Sequence, residues 1–291
     1  MKNRIKIIKS PEKLTNIIKE LKKRGKSVGF VPTMGALHNG HFSLIKKARK
    51  ENDIVVVSIF VNPTQFGPNE DYKNYPRTFK EDKENCLNLG VDIIFAPTAE
   101  KLYPEGYKTF VEVKDLSDIL CGKFRPGHFK GVATIVLKLF NIVQPDTAYF
   151  GLKDYQQFVI INKMVKDLNL NIKIKGVSTV REKDGLALSS RNKYLNEQER
   201  KEALLLYKSL KSAEQLIKYE NVKNSDVIKK NIKNILLSGN IIKNKDIDYI
   251  AIVDAHSLAE LKKIKGDVLI ALAVHLGKAR LIDNIVIRKV K

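Results

Sequence analysis

Residues Lys26 to Gln65 read KSVGFVPTMGALHNGHFSLIKKARKENDIVVVSIFVNPTQ, and this stretch decides the fold. It opens on Val28 to Val31, a short apolar run of β-branched and aromatic residues that suits a buried strand, and Pro32 is expected to stop it. The loop from Thr33 to Gly40 carries two glycines and ends in His38-Asn39-Gly40-His41, after which Leu44, Ile45 and Ala48 recur at helical spacing. The two histidines therefore fall where a helix begins. A helix N-terminus presents backbone N–H groups and a partial positive charge that favour a phosphate, and two imidazoles beside it add donors. Gly40 gives the backbone room to approach a nucleotide closely. Taken singly, each histidine reads as a surface residue and each glycine as a turn former. Set together between a buried strand and a helix, they point to an anion site. Ile54 to Val61 then reads as a second strand buried on both faces. Strand, helix, strand makes a βαβ crossover and predicts a parallel sheet in an α/β fold.

Composition bounds the alternatives. A chain of 291 residues with 43% hydrophobic content is long enough for two domains with proper cores, which disfavours disorder. Its two cysteines, Cys86 and Cys121, show neither metal-ligand spacing nor a disulfide pattern, so a reducing compartment is expected. The N-terminus is interrupted by charges and no run of about 18 apolar residues occurs, so neither export nor a membrane span is expected and the location reads as cytoplasmic. A formal charge of +21 raises the question of nucleic acid. The excess is mostly lysine spread along the whole chain, which reads as a compositional bias rather than a binding stripe, though it would still attract a small anionic substrate.

Elsewhere the same grammar recurs. Ser10-Pro11 ahead of Leu14, Ile17, Ile18 and Leu21 gives an N-cap, a first-turn proline and an apolar stripe. Asn62-Pro63-Thr64-Gln65 follows the second strand at its carboxyl end, where open α/β sheets place ligands, so Asn62 and Gln65 are either substrate readers or parts of a turn. A helix is expected from Thr78 to Leu89, a strand at Ile93 to Ala96, and loop with a short edge strand at Pro104 to Val113. Arg125, His128 and Lys130 sit in a basic loop ahead of an amphipathic helix carrying Val132, Ile135, Val136, Leu139, Phe140 and Val143. Thr147 to Phe150 reads as a strand running into Gly151-Leu152-Lys153-Asp154-Tyr155-Gln156-Gln157 and a helix to Leu168. There Lys153 is suited to a transferring phosphate and Asp154 to ribose hydroxyls. Ile172 to Val180 reads as another strand, and Ser189-Ser190-Arg191 after it would clamp an oxyanion. Asn196 with Glu199 resembles a capping box for a helix through Ile217, and Ser225 is expected to cap a helix to Leu237. Strands are expected at Asp248 to Val253, Val268 to Val274 and Leu281 to Ile287. The change from alternating strands and helices to helices followed by strands predicts a boundary near Val177 to Arg181.

Together these motifs resemble the pantothenate synthetases, ligases that join pantoate to β-alanine, within the nucleotidyltransferase superfamily marked by His-x-Gly-His. The resemblance spans essentially the full chain. It rests on Pro32-Thr33-Met34-Gly35-Ala36-Leu37-His38-Asn39-Gly40-His41, Phe60-Val61-Asn62-Pro63-Thr64-Gln65-Phe66, Tyr75-Pro76-Arg77-Thr78, Arg125-Pro126-Gly127-His128-Phe129, Lys153-Asp154 with Gln157, and Ser189-Ser190-Arg191-Asn192. The last is similar to a degenerate Lys-Met-Ser-Lys-Ser loop with Ala187-Leu188 in place of Lys-Met, which shifts phosphate binding toward Arg191 and Lys153. The resemblance implies a Rossmann-like parallel-sheet domain over residues 1–179 that binds ATP and pantoate, and a smaller α+β C-terminal domain over 180–291 that closes over the active site. It further implies a homodimer, ATP with Mg²⁺, and a pantoyl adenylate formed with loss of pyrophosphate and consumed by β-alanine with loss of AMP. Catalytic roles fall by resemblance on His41 as proton donor, His38, Lys153 and Arg191. The ATP cradle falls on Met34, Gly35, Ala36, Leu37, His38, Asn39, Gly40 and His41, on Gly151, Leu152, Lys153 and Asp154, and on Val180, Leu188, Ser189, Ser190 and Arg191. Pantoate would be read by Gln65, Gln157 and Asn62, and β-alanine approached by Gln65; metal ligands are left open. A related nucleotidyltransferase, a tRNA synthetase or a nucleic-acid-binding protein are the competing readings. About 110 residues after Arg181 leave little room for an anticodon-reading domain.

Overall fold

Short β-branched runs alternate with helical stripes through the first part of the chain, and in a computed structural model, which describes residues 5–68 and 70–290, they stack as a parallel sheet. The elements are β1 (Lys6–Ile8), α1 (Pro11–Lys23), β2 (Val28–Thr33), α2 (Asn39–Glu51), β3 (Ile54–Ile59), α3 (Phe79–Asn88), β4 (Ile93–Phe95), the short α4 (Ala99–Leu102) and α5 (Cys121–Phe124), α6 (His128–Val143), β5 (Thr147–Gly151), α7 (Tyr155–Asp167) and β6 (Lys173–Val177). The sheet order is β1-β4-β3-β2-β5-β6, with every neighbouring pair parallel. Chain order runs outward from β2 through β3 and β4 on one side, where β1 forms the edge, and from β5 to β6 on the other. The crevice at the carboxyl ends of β2 and β5 is therefore the topological switch point, where open α/β sheets bind ligands.

Several sequence expectations shift. β2 does not stop at Pro32 but continues to Thr33, with Pro32 opposite Ser58 of β3. The proline is tolerated because β2 pairs with β5 only at Gly29 and Phe30. β3 ends at Ile59, two residues early, freeing Phe60 and Val61 for the loop above the sheet. No strand forms in 104–113; there the backbone N–H of Val111 donates instead to Thr134 Oγ1 at 2.9 Å. In α6 the expected apolar positions Val132, Ile135, Val136, Leu139, Phe140 and Val143 are all buried while Asn141 is exposed; in its first half burial is broader, Gly131 to Val136 being buried consecutively, because α1, β2 and the turn at 63–65 pack around it. Ser10 does cap α1, accepting from Lys13 N–H at 3.2 Å, and Leu14 and Ile18 are fully buried.

One compact unit comprises the chain up to Leu152 with Ile160–Ser178, and the other comprises Lys153–Val159 with the chain from Thr179 onward. The second unit contains α8 (Glu197–Glu202), α9 (Leu204–Lys218), α10 (Ser225–Leu236) and the antiparallel strands β7 (Ile247–Asp254), β8 (Gly266–Leu276) and β9 (Ala279–Val290), in the order β7-β8-β9. Leu206, Leu210, Ala213 and Ile217 of α9 and Ile228, Ile232 and Leu236 of α10 form a core with Ile252, Ile270, Leu272 and Val274 of the sheet. Burying each such aliphatic side chain is worth about 1.5–3 kcal/mol before entropy. The expected helix from Asn196 to Ile217 is interrupted at Ala203, where the turn tightens and Leu206 N–H reaches Ala203 O at 3.2 Å. The Asn196–Glu199 capping box is present. The cap of α10 is Asn224, whose Oδ1 accepts from Asp226 and Val227 N–H; Ser225 is the first helical residue.

Candidate active site

The β2–α2 loop is held by its own hydrogen bonds and by one carboxylate from α3. Thr33 Oγ1 accepts from Gly35 N–H at 3.2 Å, and the carboxylate of Asp82 on α3 accepts from Ala36 N–H at 3.0 Å and Leu37 N–H at 2.8 Å. His38 caps α2: its Nδ1 accepts from Gly40 N–H at 3.1 Å, while its own backbone N–H donates to Nδ1 of His41 at 3.3 Å. The rings lie 4.2 Å apart. An Nδ1 that accepts cannot carry a proton, so each neutral ring holds its proton on Nε2. This refines the sequence argument. Gly35, His38 and Gly40 direct their backbone donors to side chains of this segment, and Ala36 and Leu37 direct theirs to Asp82 of α3. An added Cβ at Gly40 would lie 2.8 Å from Cε1 of His38, so this glycine makes room for the capping ring. Burial pushes the Asp82 carboxyl up, against the downward pull of the Leu37 and Ala36 N–H groups and the Thr78 hydroxyl.

Asn62 and Gln65 sit at the end of β3 in a tight turn. Asn62 is 1% exposed. Its amide donates to Gln65 Oε1 and to Gly131 O, each at 3.1 Å, and its Oδ1 accepts from the Tyr103 hydroxyl at 2.9 Å and the Thr64 hydroxyl at 3.0 Å. The Asn62 carboxamide is thus engaged by Gln65, Gly131, Tyr103 and Thr64, and it holds Gln65 through the first of these bonds. The Gln65 side chain lies between Asn62 and Met34, with Nε2 3.0 Å from the Met34 sulfur, a weak acceptor. Its backbone carbonyl accepts from His128 Nδ1 at 2.8 Å. Arg125 can only donate, so the 2.9 Å contact from its Nη1 makes His128 Nε2 the acceptor and leaves Nδ1–H for Gln65. Arg125 also grips Glu70 in a fork, at 2.7 and 2.6 Å. Burial pushes the Glu70 carboxyl up, but the hydrogen bonds and charge of Arg125 outweigh it and hold it below the usual range. Arg125 and His128 therefore brace the Gln65 turn. A cavity of about 270 Å³ beside it is lined by Met34, Gly35, Phe60, Tyr72, Arg77 and Asp82, among others.

The remaining candidates belong to the second unit, apart from Gly151 and Leu152 at the end of β5. Arg181 forks onto Asp283 at 2.7 and 2.8 Å, donates to Gly185 O at 3.0 Å and stacks 4.0 Å over the Tyr207 ring. Val180 and Leu188 are joined by a backbone bond of 3.0 Å, and an isolated bridge pairs Arg181 with Ala187. This hairpin delivers Ser189, which caps the turn Ser190–Tyr194 by accepting from Arg191 N–H at 3.3 Å, while Asn192 donates to Ala187 O at 3.0 Å. Lys153 and Ser189 border one small cavity of about 10 Å³, room for a single water. The Lys153 carbonyl accepts from Asn284 at 2.8 Å, and its ammonium lies 3.8 Å from Asp154. Gln157 is half-buried in the first turn of α7.

Sequence reasoning missed Asp82, Glu70, Arg181 and Asp283. Asp82 left one trace, since it shares a helical face with Cys86 four residues on and so placed a carboxylate on a buried stripe. Nothing local marks Asp283, 102 residues from Arg181.

Comparison with known proteins supplies the family. The profile described as pantoate–β-alanine ligase matches residues 6–286. The pantothenate synthetase of Caldicellulosiruptor bescii is 54% identical over 281 residues, covering 97% of this chain and 98% of that protein. That of Thermosipho africanus is 53% identical over 283 residues, covering 97% of this chain and all of the relative. Among solved structures, the pantothenate synthetase of Thermus thermophilus superposes with a TM-score of 0.90 at 42% identity, over 97% of this chain and 99% of that one. The pantoate–β-alanine ligase of Francisella tularensis, complexed with β,γ-ATP and β-alanine, gives 0.78 at 40% identity over 97% of both chains. With a paired-imidazole helix cap at the switch point of a parallel sheet and a family match over nearly its whole length, the chain belongs to the pantoate–β-alanine ligase family.

Proposed function

We propose that this chain joins pantoate to β-alanine through a pantoyl adenylate. A pantoate carboxylate oxygen attacks the α-phosphorus of ATP and pyrophosphate leaves; the β-alanine amine then attacks the acyl carbon, AMP leaves with that oxygen, and the nitrogen loses a proton. As a family member the chain is a carbon–nitrogen ligase. The observation that carries the mechanism is the reciprocal capping of α2 by His38 and His41, because it holds both rings with Nε2 protonated at the sheet edge where ligands bind. Both rings are assigned to the phosphates, with His41 as the proton donor. Donors fixed before the reaction stabilise developing phosphoryl charge without reorganisation, and the reaction needs positioning and charge more than a covalent nucleophile.

By family resemblance, 1–179 binds ATP and pantoate and 180–291 completes the machinery. Met34 to His41, Gly151 to Asp154, Val180 and Leu188 to Arg191 are assigned to ATP, Lys153 to the α-phosphate, and Arg191 to the departing pyrophosphate. Gln65 and Gln157 read pantoate, Gln65 also approaches β-alanine, and Asn62 acts by orienting Gln65. Mg²⁺ is ordinarily held by phosphate oxygens, water and one or two carboxylates, and Asp154, with its side chain half exposed within the ATP segment, has the donor chemistry to share it. When bound it neutralises triphosphate charge. We further infer a cytoplasmic homodimer from family resemblance; no helix among the described residues is long and apolar enough to cross a membrane.

Pantoate labelled with heavy oxygen in its carboxylate tests the mechanism. One labelled oxygen in the AMP phosphate for each pantothenate formed is expected. Label confined to pantothenate rules out the adenylate.

A further inference from the structure

Asp82 stands apart from every group the proposed mechanism employs. It is 1% exposed on α3, and a carboxylate so buried is costly unless its oxygens are satisfied. They are, by Ala36 N–H, Leu37 N–H and the Thr78 hydroxyl. Gly35 and Ala36 both have positive φ, 88° and 50°, which turns successive N–H groups to one side and makes a small anion-binding nest. An alanine at such a φ costs about 1–2 kcal/mol, so something must hold it there. The next backbone donor along is His38 N–H, bonded to Nδ1 of His41. Asp82, the 35–37 turn, the His38 backbone and the His41 ring thus form one continuous chain of contacts.

We propose that Asp82 is a positioning residue for the reaction: by filling the nest at Ala36 and Leu37 with its own carboxylate, it fixes the backbone donor that sets the tautomer and direction of His41. The loop's nest, the obvious cradle for a phosphate, is occupied from within, and substrate phosphate is left to the imidazoles. This inference rests on the ligase reading above.

Asp82→Asn keeps the shape but offers one carbonyl to two N–H donors and turns an NH₂ toward the other. Three measurements are made on it: thermal unfolding, pantoate-dependent exchange of labelled pyrophosphate into ATP, and the ring-nitrogen NMR shifts of His41. The expected result is a folded protein whose exchange kcat falls at least about tenfold while KM for pantoate stays within about threefold, with His41 Nδ1 moving from the unprotonated position toward a tautomer mixture. Should Asp82→Asn not fold, Thr78→Val loosens one contact of the carboxylate and is expected to lower kcat a few fold with a parallel, smaller ring shift. A folded Asp82→Asn protein with near-normal kcat, or either variant with reduced kcat and unchanged His41 signals, overturns the proposal. The wild type distinguishes this from failure of the ligase reading. Absence of pantoate-dependent exchange there removes the reaction itself, whereas the ring signals still report whether Asp82 controls His41.

Discussion

The backbone N–H of His38 donates to Nδ1 of His41, three residues on, across 3.3 Å. Capping boxes usually place a Glu or Gln at that third helical position; here an imidazole takes the place. On the reading proposed above, structure and chemistry separate within one side chain, Nδ1 serving the helix and Nε2 assigned to the phosphate.

That separation predicts different outcomes for two replacements of His41. Asn presents an acceptor near the Nδ1 position, so His41→Asn should keep most of the cap, worth about 1 kcal/mol, and lose the phosphate donor, at a cost of about 3 kcal/mol or roughly 100-fold in exchange rate. Gln presents its amide near Nε2, so His41→Gln should retain more activity. Thermal unfolding and exchange assays check both; a His41→Asn protein with near-normal turnover would remove Nε2 from the mechanism.

Gly131 predicts a defect in pantoate binding from outside the pocket. An added Cβ would lie 2.2 Å from Thr64 O and 2.5 Å from Thr64 C, both backbone atoms that cannot swing aside. Gly131→Ala should push the Gln65 turn away from α6, lower stability by about 1–3 kcal/mol and raise KM for pantoate more than KM for ATP. Equal changes in the two constants would mean that the turn does not read pantoate.

Arg191 separates the half-reactions. Assigned to the leaving pyrophosphate, it has no task once the adenylate exists, so Arg191→Ala should slow adenylate formation and leave the reaction of supplied pantoyl adenylate with β-alanine closer to normal. Single-turnover kinetics of each step decide this. An equal fall in both would place Arg191 at the shared α-phosphate.

Acid stability should depend on Glu51. Hydrogen bonds from Lys175, then Lys47 and Tyr149, hold its carboxyl at about 2 against an ordinary 4.5. The folded carboxylate resists protonation that the unfolded chain accepts, so its contribution is fully present above 4.5 and is lost as pH falls toward about 2. Glu51→Gln should be less stable at neutral pH and show a shallower decline through that window in urea unfolding. Curves that stay parallel throughout would show that Glu51 does not titrate there.

Much of this was readable from local pattern. The His38–His41 helix start followed from strand, glycines and apolar spacing, all within one stretch, and the Asn196–Glu199 box from spacing of three. What escaped was tertiary. Asn62 reads as either a substrate reader or part of a turn, and its bond to Gly131, 69 positions away, has no local signal. The apolar series of α6 was readable, but not the wider burial of Gly131 to Val136, which comes from α1 and the 63–65 turn packing against it. Nor does anything local show that Asp82, 46 and 45 residues on, accepts from the N–H groups of Ala36 and Leu37.

The central claim is that ATP is cleaved by pantoate before β-alanine takes part. It is tested most directly by exchange of labelled pyrophosphate into ATP in the presence of pantoate alone. The account predicts that label enters ATP with pantoate and without β-alanine, and that α-amino acids do not replace pantoate. Label that enters only after β-alanine is added, or that enters with an α-amino acid in place of pantoate, would contradict it.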